Sequence, residues 1–244
     1  MDKIKNLFNK SINFVKSNKL VTGVILIIII IIFVVYNTFS KDRNEDYETD
    51  KKEDKEIKTK NNYLFFQNEH PSNIPYRIDS KKLDKPVNEA MSLSFFIKVN
   101  NWYFNFDSWK HILHKGTFLE HDSNKKFNHL KFQSPGLWFH PKINNLRFVL
   151  SVYNNFEFKH KYCDIPNIPI GKYFHIVFTV ENNTLSIFIN KRLVKTCIFE
   201  GIPILTEGDV YINHGTTFDG FIKNLQFYDK VVSIDEISEL YSQK

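Results

Sequence analysis

Residues 167–196 read NIPIGKYFHIVFTVENNTLSIFINKRLVKT and carry the clearest local fold signal in the chain. Two runs rich in aromatic and β-branched residues, Tyr173–Val180 and Thr184–Ile189, flank the polar segment Glu181–Asn183. This order predicts a β-hairpin. In the second run the apolar side chains at every second position share one face, as in a strand that packs on a core. The segment therefore favours a β-sandwich.

Composition extends this prediction to the rest of the chain. The 244 residues include 24 Phe, 11 Tyr and 3 Trp but only 8 Gly, which favours an all-β core. Ser233 and Glu236 form the capping-box pattern of a short terminal helix. Residues 61–244 are therefore predicted to form an antiparallel β-sandwich or jelly roll with a short C-terminal helix. Besides the hairpin, the predicted strands are Tyr63–Phe66, Met91–Val99, Trp109–Lys115, Leu137–His140, Leu146–Tyr153, Phe156–Cys163, Leu193–Phe199, Asp209–Asn213 and Phe221–Tyr228, and Pro71–Pro86 is predicted to be irregular.

The N-terminal region predicts a single transmembrane helix that acts as a signal anchor. Residues 20–40 contain no charged side chain, and 21 helical residues span about 31 Å, enough for a hydrocarbon core. A cleaved signal peptide would have a shorter apolar run and a small-residue cleavage site. Residues 1–19 carry five Lys and one Asp, so they are expected to be a basic cytoplasmic tail. Because apolar residues recur there at helical spacing, an amphipathic helix is the alternative. The C-terminal part then faces the lumen, the cell exterior or the outside of a virion membrane.

The remaining charge does not favour nucleic-acid binding. Residues 41–60 hold seven basic and eight acidic side chains and few large apolar ones, which predicts a mixed-charge stalk. Of the formal net charge of +6, the tail contributes +4 and the stalk −1, so the rest of the chain carries +3. A domain with so small an excess of positive charge gives no reason to expect a nucleic-acid partner.

Several motifs resemble laminin G-like domains of the concanavalin A-like jelly-roll class. In residues 168–196 a Pro-containing approach leads to Phe174-His175, where the family commonly has Trp-His, and Asn190-Lys191 stands where the family has Asn-Gly. Phe218–Tyr228 and the helix after it resemble the closing strand and helix of that family. Residues 109–116 (WKHILHKG), 134–139 (SPGLWF) and 144–148 (NNLRF) also resemble membrane-anchored members encoded by large DNA viruses. The resemblance implies a jelly roll over residues 90–244.

A related jelly-roll family hydrolyses β-glucans with three carboxylates in the pattern Glu-x-Asp-x-x-Glu on one strand. The nearest match here is Glu120-His121-Asp122, but Lys125 stands at the position of the third carboxylate. A retaining hydrolase needs two carboxyl groups about 5–5.5 Å apart. We therefore expect the domain not to be an enzyme, and a glycoside hydrolase remains the alternative hypothesis.

Histidines and aspartates offer weak metal signals. On a regular strand His111 and His114, three residues apart, point to opposite faces and do not converge. Some laminin G-like domains bind calcium at a loop rim, and Asp107, Asp122 and Asp219 are candidate oxygen ligands of that kind, but no dense acidic loop marks a site. No metal or cofactor is assigned.

Two covalent features bear on the compartment. Cys163 and Cys197 are the only cysteines, and an even number in an oxidising compartment favours a disulfide, whereas a domain kept in the cytosol would retain two free thiols. Asn182-Asn183-Thr184 is an N-glycosylation acceptor at the predicted hairpin turn.

The strongest candidate for ligand contact is an aromatic cluster between two predicted strands. Residues 102–109 contain three Phe or Tyr residues between two tryptophans, a density that suits a sugar-stacking surface or ordinary packing. Trp102, Tyr103 and Trp109 are the candidate ligand-surface aromatics. The predicted function is a membrane-anchored, non-catalytic domain that binds a glycan or protein ligand or serves structurally in a viral or cell envelope. The expected partners are the lipid bilayer, that ligand, and envelope or capsid proteins.

Overall fold

The computed structural model describes residues 57–59, 62–83, 90–117, 132–205 and 208–243. The predicted tail, membrane span and most of the stalk lie outside these residues. Among these residues the structure contains no apolar helix of the length that a bilayer span requires. The elements described below all belong to the predicted 61–244 domain or to the end of the stalk.

Strands are the main regular structure of the described residues. The helical elements are a 3-10 turn at Ser80–Lys82 and an α-helix, α1, at Ile234–Ser242. The strands are β1 (Ile57–Thr59), β2 (Asn62–Phe65), β3 (His70–Pro71), β4 (Tyr76–Ile78), β5 (Ala90–Asn101), β6 (Lys110–Gly116), β7 (Gln133–Phe139), β8 (Asn145–Asn154), β9 (Glu157–Pro166), β10 (Phe174–Glu181), β11 (Thr184–Ile189), β12 (Arg192–Ile198), β13 (Ile202–Pro203), β14 (Asp209–Ile212) and β15 (Asp219–Tyr228).

These strands form two antiparallel sheets. The first has the order β1-β2-β15-β5-β10-β11-β12, with β3 also paired to β15. The second has the order β13-β8-β7-β6-β14-β4, with β9 also paired to β8. Both sheets bury their facing sides, so the predicted antiparallel β-sandwich with one short C-terminal helix is confirmed for the described residues.

The hairpin in residues 167–196 lies inside the first sheet. Its strands β10 and β11 pair in register from Ile176 opposite Ile189 to Glu181 opposite Thr184, and β10 also pairs with β5. Because side chains alternate, Phe178 points into the sandwich, where its ring meets that of Phe148 from the second sheet edge-to-face at 5.4 Å. The predicted hairpin is confirmed and contributes to the centre of the core.

The terminal helix covers the outer face of the first sheet. Ser233 accepts a hydrogen bond from the backbone N–H of Glu236, and the Glu236 carboxylate accepts one from the backbone N–H of Ser233, which completes the predicted capping box. Ile237 and Leu240 then pack with Val177 of β10 and with Tyr228 of β15. This contact explains why Val177 is buried although it lies on the outer face of the first sheet.

Two predicted segments differ from the structure. Pro71–Pro86 is not wholly irregular, because Tyr76–Ile78 pairs with β14 and forms the outer strand of the second sheet. β7 begins at Gln133 rather than Leu137, although a proline inside a strand removes one ladder donor. The hydroxyl of Ser134 compensates by accepting from the backbone N–H of Ser151 at 2.8 Å and donating to its carbonyl at 3.1 Å.

Candidate functional site

The three candidate ligand-surface aromatics do not form one surface. Trp102 is buried in the core, with its ring edge-to-face against Phe139 at 5.3 Å. Trp109 is half-buried on the outer face of the second sheet. Tyr103 is 73% exposed at one end of the sandwich. Of the three, only Tyr103 is largely exposed to solvent, and Trp102 is a core residue.

The loop between β5 and β6 displays Tyr103 together with two further aromatics. Phe106 is 51% exposed and Phe104 is 44% exposed, and the rings of Tyr103 and Phe106 lie 6.0 Å apart. We call these three residues the aromatic rim. Phe104 and Phe106 are members of the aromatic cluster in the sequence, but alternation could not show which members face out, because the loop is not a strand.

Hydrogen bonds fix this loop. The backbone N–H of Tyr103 donates to Asn101 Oδ1 at 2.9 Å, and that of Phe106 donates to the Tyr103 carbonyl at 3.1 Å. Asn105 and Asp107 take the left-handed conformation, with φ of 50° and 67°, which Asn and Asp tolerate better than other non-glycine residues. The rim is thus presented by an ordered turn, which lowers the entropy cost of binding a ligand there.

Two neighbouring loops hold the rim in place. Asn105 Nδ2 donates to the carbonyl of Thr217 at 2.9 Å, in the loop between β14 and β15. The backbone N–H of Asp107 donates to the carbonyl of Pro141 at 3.2 Å, and its carboxylate pairs with Lys142 at 3.1 Å, in the loop between β7 and β8. Loops from both sheets therefore meet around the aromatic rim.

A second polar and aromatic surface lies on the outer face of the second sheet. Arg147 donates two hydrogen bonds to Asp164, at 2.7 and 2.6 Å, and its guanidinium carbon lies 4.9 Å from the ring centres of both Trp109 and Tyr162. Burial alone would raise the pKa of Asp164, but the hydrogen bonds and charge of Arg147 outweigh it, so the pKa is lowered. Because Arg147 contacts both rings and the carboxylate, this cluster is a self-satisfied ion pair.

The prediction for His111 and His114 was wrong, because the two side chains meet. His111 Nε2 lies 2.8 Å from His114 Nδ1. Strand β6 contains a bulge, since His111 pairs with Trp138 while Leu113 pairs with the next residue, Leu137. The extra residue restores both histidines to the same face. The adjacent apolar pair Ile112-Leu113, both in the core, is the sequence signal that alternation breaks at this point.

The hydrogen bonds of these histidines run in one direction, and we call the chain the histidine relay. The backbone N–H of His214 donates to His111 Nδ1 at 2.9 Å. His111 therefore carries its proton on Nε2 and donates to His114 Nδ1, and His114 Nε2 donates to the carbonyl of Thr117 at 2.9 Å. Burial lowers the pKa of His114 to about 4 and that of His111 well below its ordinary value, and the neighbouring histidines lower the latter further. The relay is neutral, and all four of its ring nitrogens are engaged.

The acidic candidates that the structure describes, Asp107 and Asp219, do not form a metal site. Glu120, Asp122 and Lys125 lie outside the described residues. Asp107 pairs with Lys142, and Asp219 accepts a hydrogen bond from Asn100 at 3.3 Å. Over the ranges that the structure describes, no three His, Cys, Asp or Glu side chains are grouped to hold a metal ion.

The two cysteines link strands of the two sheets, whereas the sequon lies in an exposed turn. Cys163 of β9 and Cys197 of β12 form a disulfide with a Cα–Cα distance of 6.2 Å. The bond joins the second sheet to the last strand of the first sheet. Asn182 is exposed in the turn between β10 and β11, with φ of 51°, so its side chain is accessible to solvent.

Solved structures with the same architecture include toxin domains. The receptor-binding domain of botulinum neurotoxin C/D mosaic serotype has 16% identity and a TM-score of 0.50 over 75% of this chain and 43% of that one. The receptor-binding domain of botulinum neurotoxin D has 15% identity and a TM-score of 0.51 over 78% and 46%. The chain thus spans less than half of these domains, and the likeness shows the fold alone.

Sequence comparison gives the family directly. No curated protein matches the chain significantly. A laminin G-type family model, described as the concanavalin A-like lectin/glucanases superfamily, matches residues 75–238, which is more than half of the chain. These residues run from just before β4 into α1 and include the whole second sheet and five of the eight strands of the first. The protein therefore belongs to the concanavalin A-like lectin/glucanase superfamily, with a domain of the laminin G type.

Proposed function

We propose that the domain is a non-catalytic binding module that contacts a glycan or protein ligand through the aromatic rim. The observation that carries the proposal is the display of three aromatic side chains on a turn held by hydrogen bonds to two neighbouring loops. Large exposed aromatics are costly to leave in water and supply most of the contact energy in many binding sites. Because the turn is already ordered, binding a ligand there costs little further conformational entropy.

A hydrolase is the alternative, and we do not favour it. In the sequence motif nearest to that of the β-glucanases, Lys125 replaces the third carboxylate. A lysine at that position supplies neither the acid nor the nucleophile that the retaining mechanism requires. We therefore assign recognition rather than cleavage to this domain.

The sequence supports display of the domain from a membrane. Residues 20–40 are proposed to span the bilayer with the N-terminus in the cytoplasm, and the domain is proposed to face the lumen, the exterior or the outside of a virion membrane. The Cys163–Cys197 bond and the exposed Asn182 sequon support an oxidising, glycosylating compartment. In a viral or cellular envelope the same module would then contact ligands outside the membrane.

The test is a printed glycan array probed with the full chain in detergent micelles. Replacing Tyr103 and Phe106 by alanine should lower binding to the recognised glycans at least tenfold, because both aromatic faces are lost. The matched control is Ile234→Ala, since Ile234 is also largely exposed but lies at the start of α1. Equal glycan binding by all three proteins would contradict the assignment of the rim. If the wild type binds no glycan on the array, the printed glycans are excluded as ligands, and the same variants are then compared against candidate protein ligands.

A further inference from the structure

The hairpin of β8 and β9 ends in a turn with an unusual residue. Asn155 and Phe156 both have positive φ, 49° and 64°, as in a type I′ turn. Glycine is the ordinary residue at the second of these positions, because a bulky side chain there is strained. Phe156 is nevertheless 91% exposed, so no burial offsets that strain. A strained backbone that holds an exposed aromatic outward is a mark of a contact site.

Three more exposed apolar side chains form a row across the strands beside this turn. Ile202 of β13 is paired with Tyr153 of β8, and Tyr153 is paired with Phe158 of β9. Paired residues of neighbouring strands project from the same face, and the rings of Tyr153 and Phe158 lie 5.2 Å apart. All three side chains are exposed. We call Tyr153, Phe156, Phe158 and Ile202 the hairpin-tip patch.

Nearby ions balance one another. Lys159 pairs with Glu157 at 3.1 Å, and Lys161 pairs with Glu200 at 3.4 Å. These two pairs carry no net charge, so burying them would leave no uncompensated ion among these four side chains. Long lysine side chains can also keep their ammonium groups in water while their stems lie against apolar surface.

We propose that the hairpin-tip patch inserts into the interfacial region of a lipid bilayer. The patch protrudes at the end of a hairpin, and its Phe, Tyr and Ile composition, flanked by lysines, is that of segments that lie in the boundary between headgroups and acyl chains. The aromatic rim lies at the opposite end of these strands, since β8 begins beside the β7–β8 loop that holds the rim and ends at this turn. One domain thus has two separate contact surfaces, for ligand and for lipid.

The predicted transmembrane anchor would tether the domain to a bilayer. Residues 41–56, which precede β1, span about 55 Å at most even when fully extended, so the domain stays within reach of the membrane that residues 20–40 are proposed to span. Tethering makes insertion of the tip an intramolecular event, and a patch of four side chains is then sufficient for a populated contact. The inference rests in this respect on the membrane anchor of the proposed function.

The test uses the full chain in phosphatidylcholine vesicles, with and without brominated acyl chains that quench tryptophan. The variant Phe156→Trp should show emission shifted to shorter wavelength and quenched by brominated lipid, after subtraction of the signal from the three native tryptophans. The control Ile234→Trp places the reporter at a largely exposed position in α1 and should stay unquenched. If the chain floats with the vesicles and the two variants are quenched equally, the proposal is overturned.

Two further outcomes are informative. If the chain does not float with the vesicles, the prediction of a membrane anchor is wrong. Quenching of Phe156→Trp by added vesicles then still shows whether the hairpin-tip patch contacts lipid. A blue shift that depends on protein concentration rather than lipid would assign the patch to self-association and overturn the bilayer proposal.

Phe156→Gly separates contact from folding. Glycine removes the strain at φ of 64°, so the thermal midpoint should be unchanged or higher. In a Tyr153→Trp background, the same substitution should reduce quenching by brominated lipid at least twofold. A lower thermal midpoint together with unchanged quenching would show that Phe156 serves the fold and not the membrane.

Discussion

At the scale of single residues, the histidine relay makes the fold sensitive to acid. The pKa values of His111, His114 and His175 are all lowered, chiefly by burial, and those of His114 and His175 fall to about 4. Between pH 6.5 and about 4 the unfolded chain binds protons that the folded chain excludes, so stability falls as the pH falls. Protonated His111 would also turn a donor toward the backbone N–H of His214.

Each of these histidines should lower the unfolding free energy as the pH falls, with a slope that approaches about 1.4 kcal/mol per pH unit below pH 6.5. Chemical denaturation of the full chain at pH 7.5, 6.0 and 5.0 measures it. His114→Gln should reduce this slope by the contribution of one histidine. If that variant fails to fold, NMR of the wild type should still show the ring resonances of His114 titrating near pH 4. Unfolding free energies independent of pH in this range would contradict the relay.

The orientation of side chains at two places could not be predicted from the sequence. An aromatic cluster at residues 102–109 could be recognised from composition, but whether Trp102 points inward depends on Phe139, which lies on another strand. The meeting of His111 and His114 depends on a bulge that is defined by pairing with β7. Both facts are properties of partners distant in sequence, so the local pattern could not supply them.

At the scale of elements, the turn between β11 and β12 departs from the family pattern. Asn190 and Lys191 have φ of 48° and 70°, and Lys191 stands where laminin G-like domains commonly have glycine. Lys191→Gly should therefore stabilise the protein by about 0.5–1 kcal/mol, because glycine takes this conformation without strain. Thermal unfolding measures the effect. Arg192→Gly, one residue further in the ordinary strand conformation, is the matched control and should destabilise.

Elements with strong local signals were predicted well. The hairpin of β10 and β11 and the capped helix α1 both follow from short-range patterns, because alternation, turn residues and the Ser233–Glu236 box are local. Strand β4 was missed because it is three residues long and follows Pro75, and only pairing with β14 makes it a strand. Short outer strands are therefore the weakest part of such a prediction.

At the scale of the whole molecule, the disulfide ties the two sheets together. It closes a loop of 34 residues, which corresponds to about 3–4 kcal/mol in the chain-entropy model. The double variant Cys163→Ser/Cys197→Ser should lose roughly that much unfolding free energy. Treating the wild type with a reductant should give the same loss, and mass spectrometry without reduction should find no free thiol. Two free thiols in the mature protein would refute the bond and the oxidising compartment together.

The central claim is that a jelly-roll domain presents its ligand site on the aromatic rim, and NMR of the ring resonances tests it most directly. Addition of a glycan identified on the array to the full chain should shift the resonances of Tyr103, Phe104 and Phe106, and leave Trp109 and Tyr162 on the outer sheet face unchanged. Shifts confined to Trp109 and Tyr162, with the rim unaffected, would contradict the account.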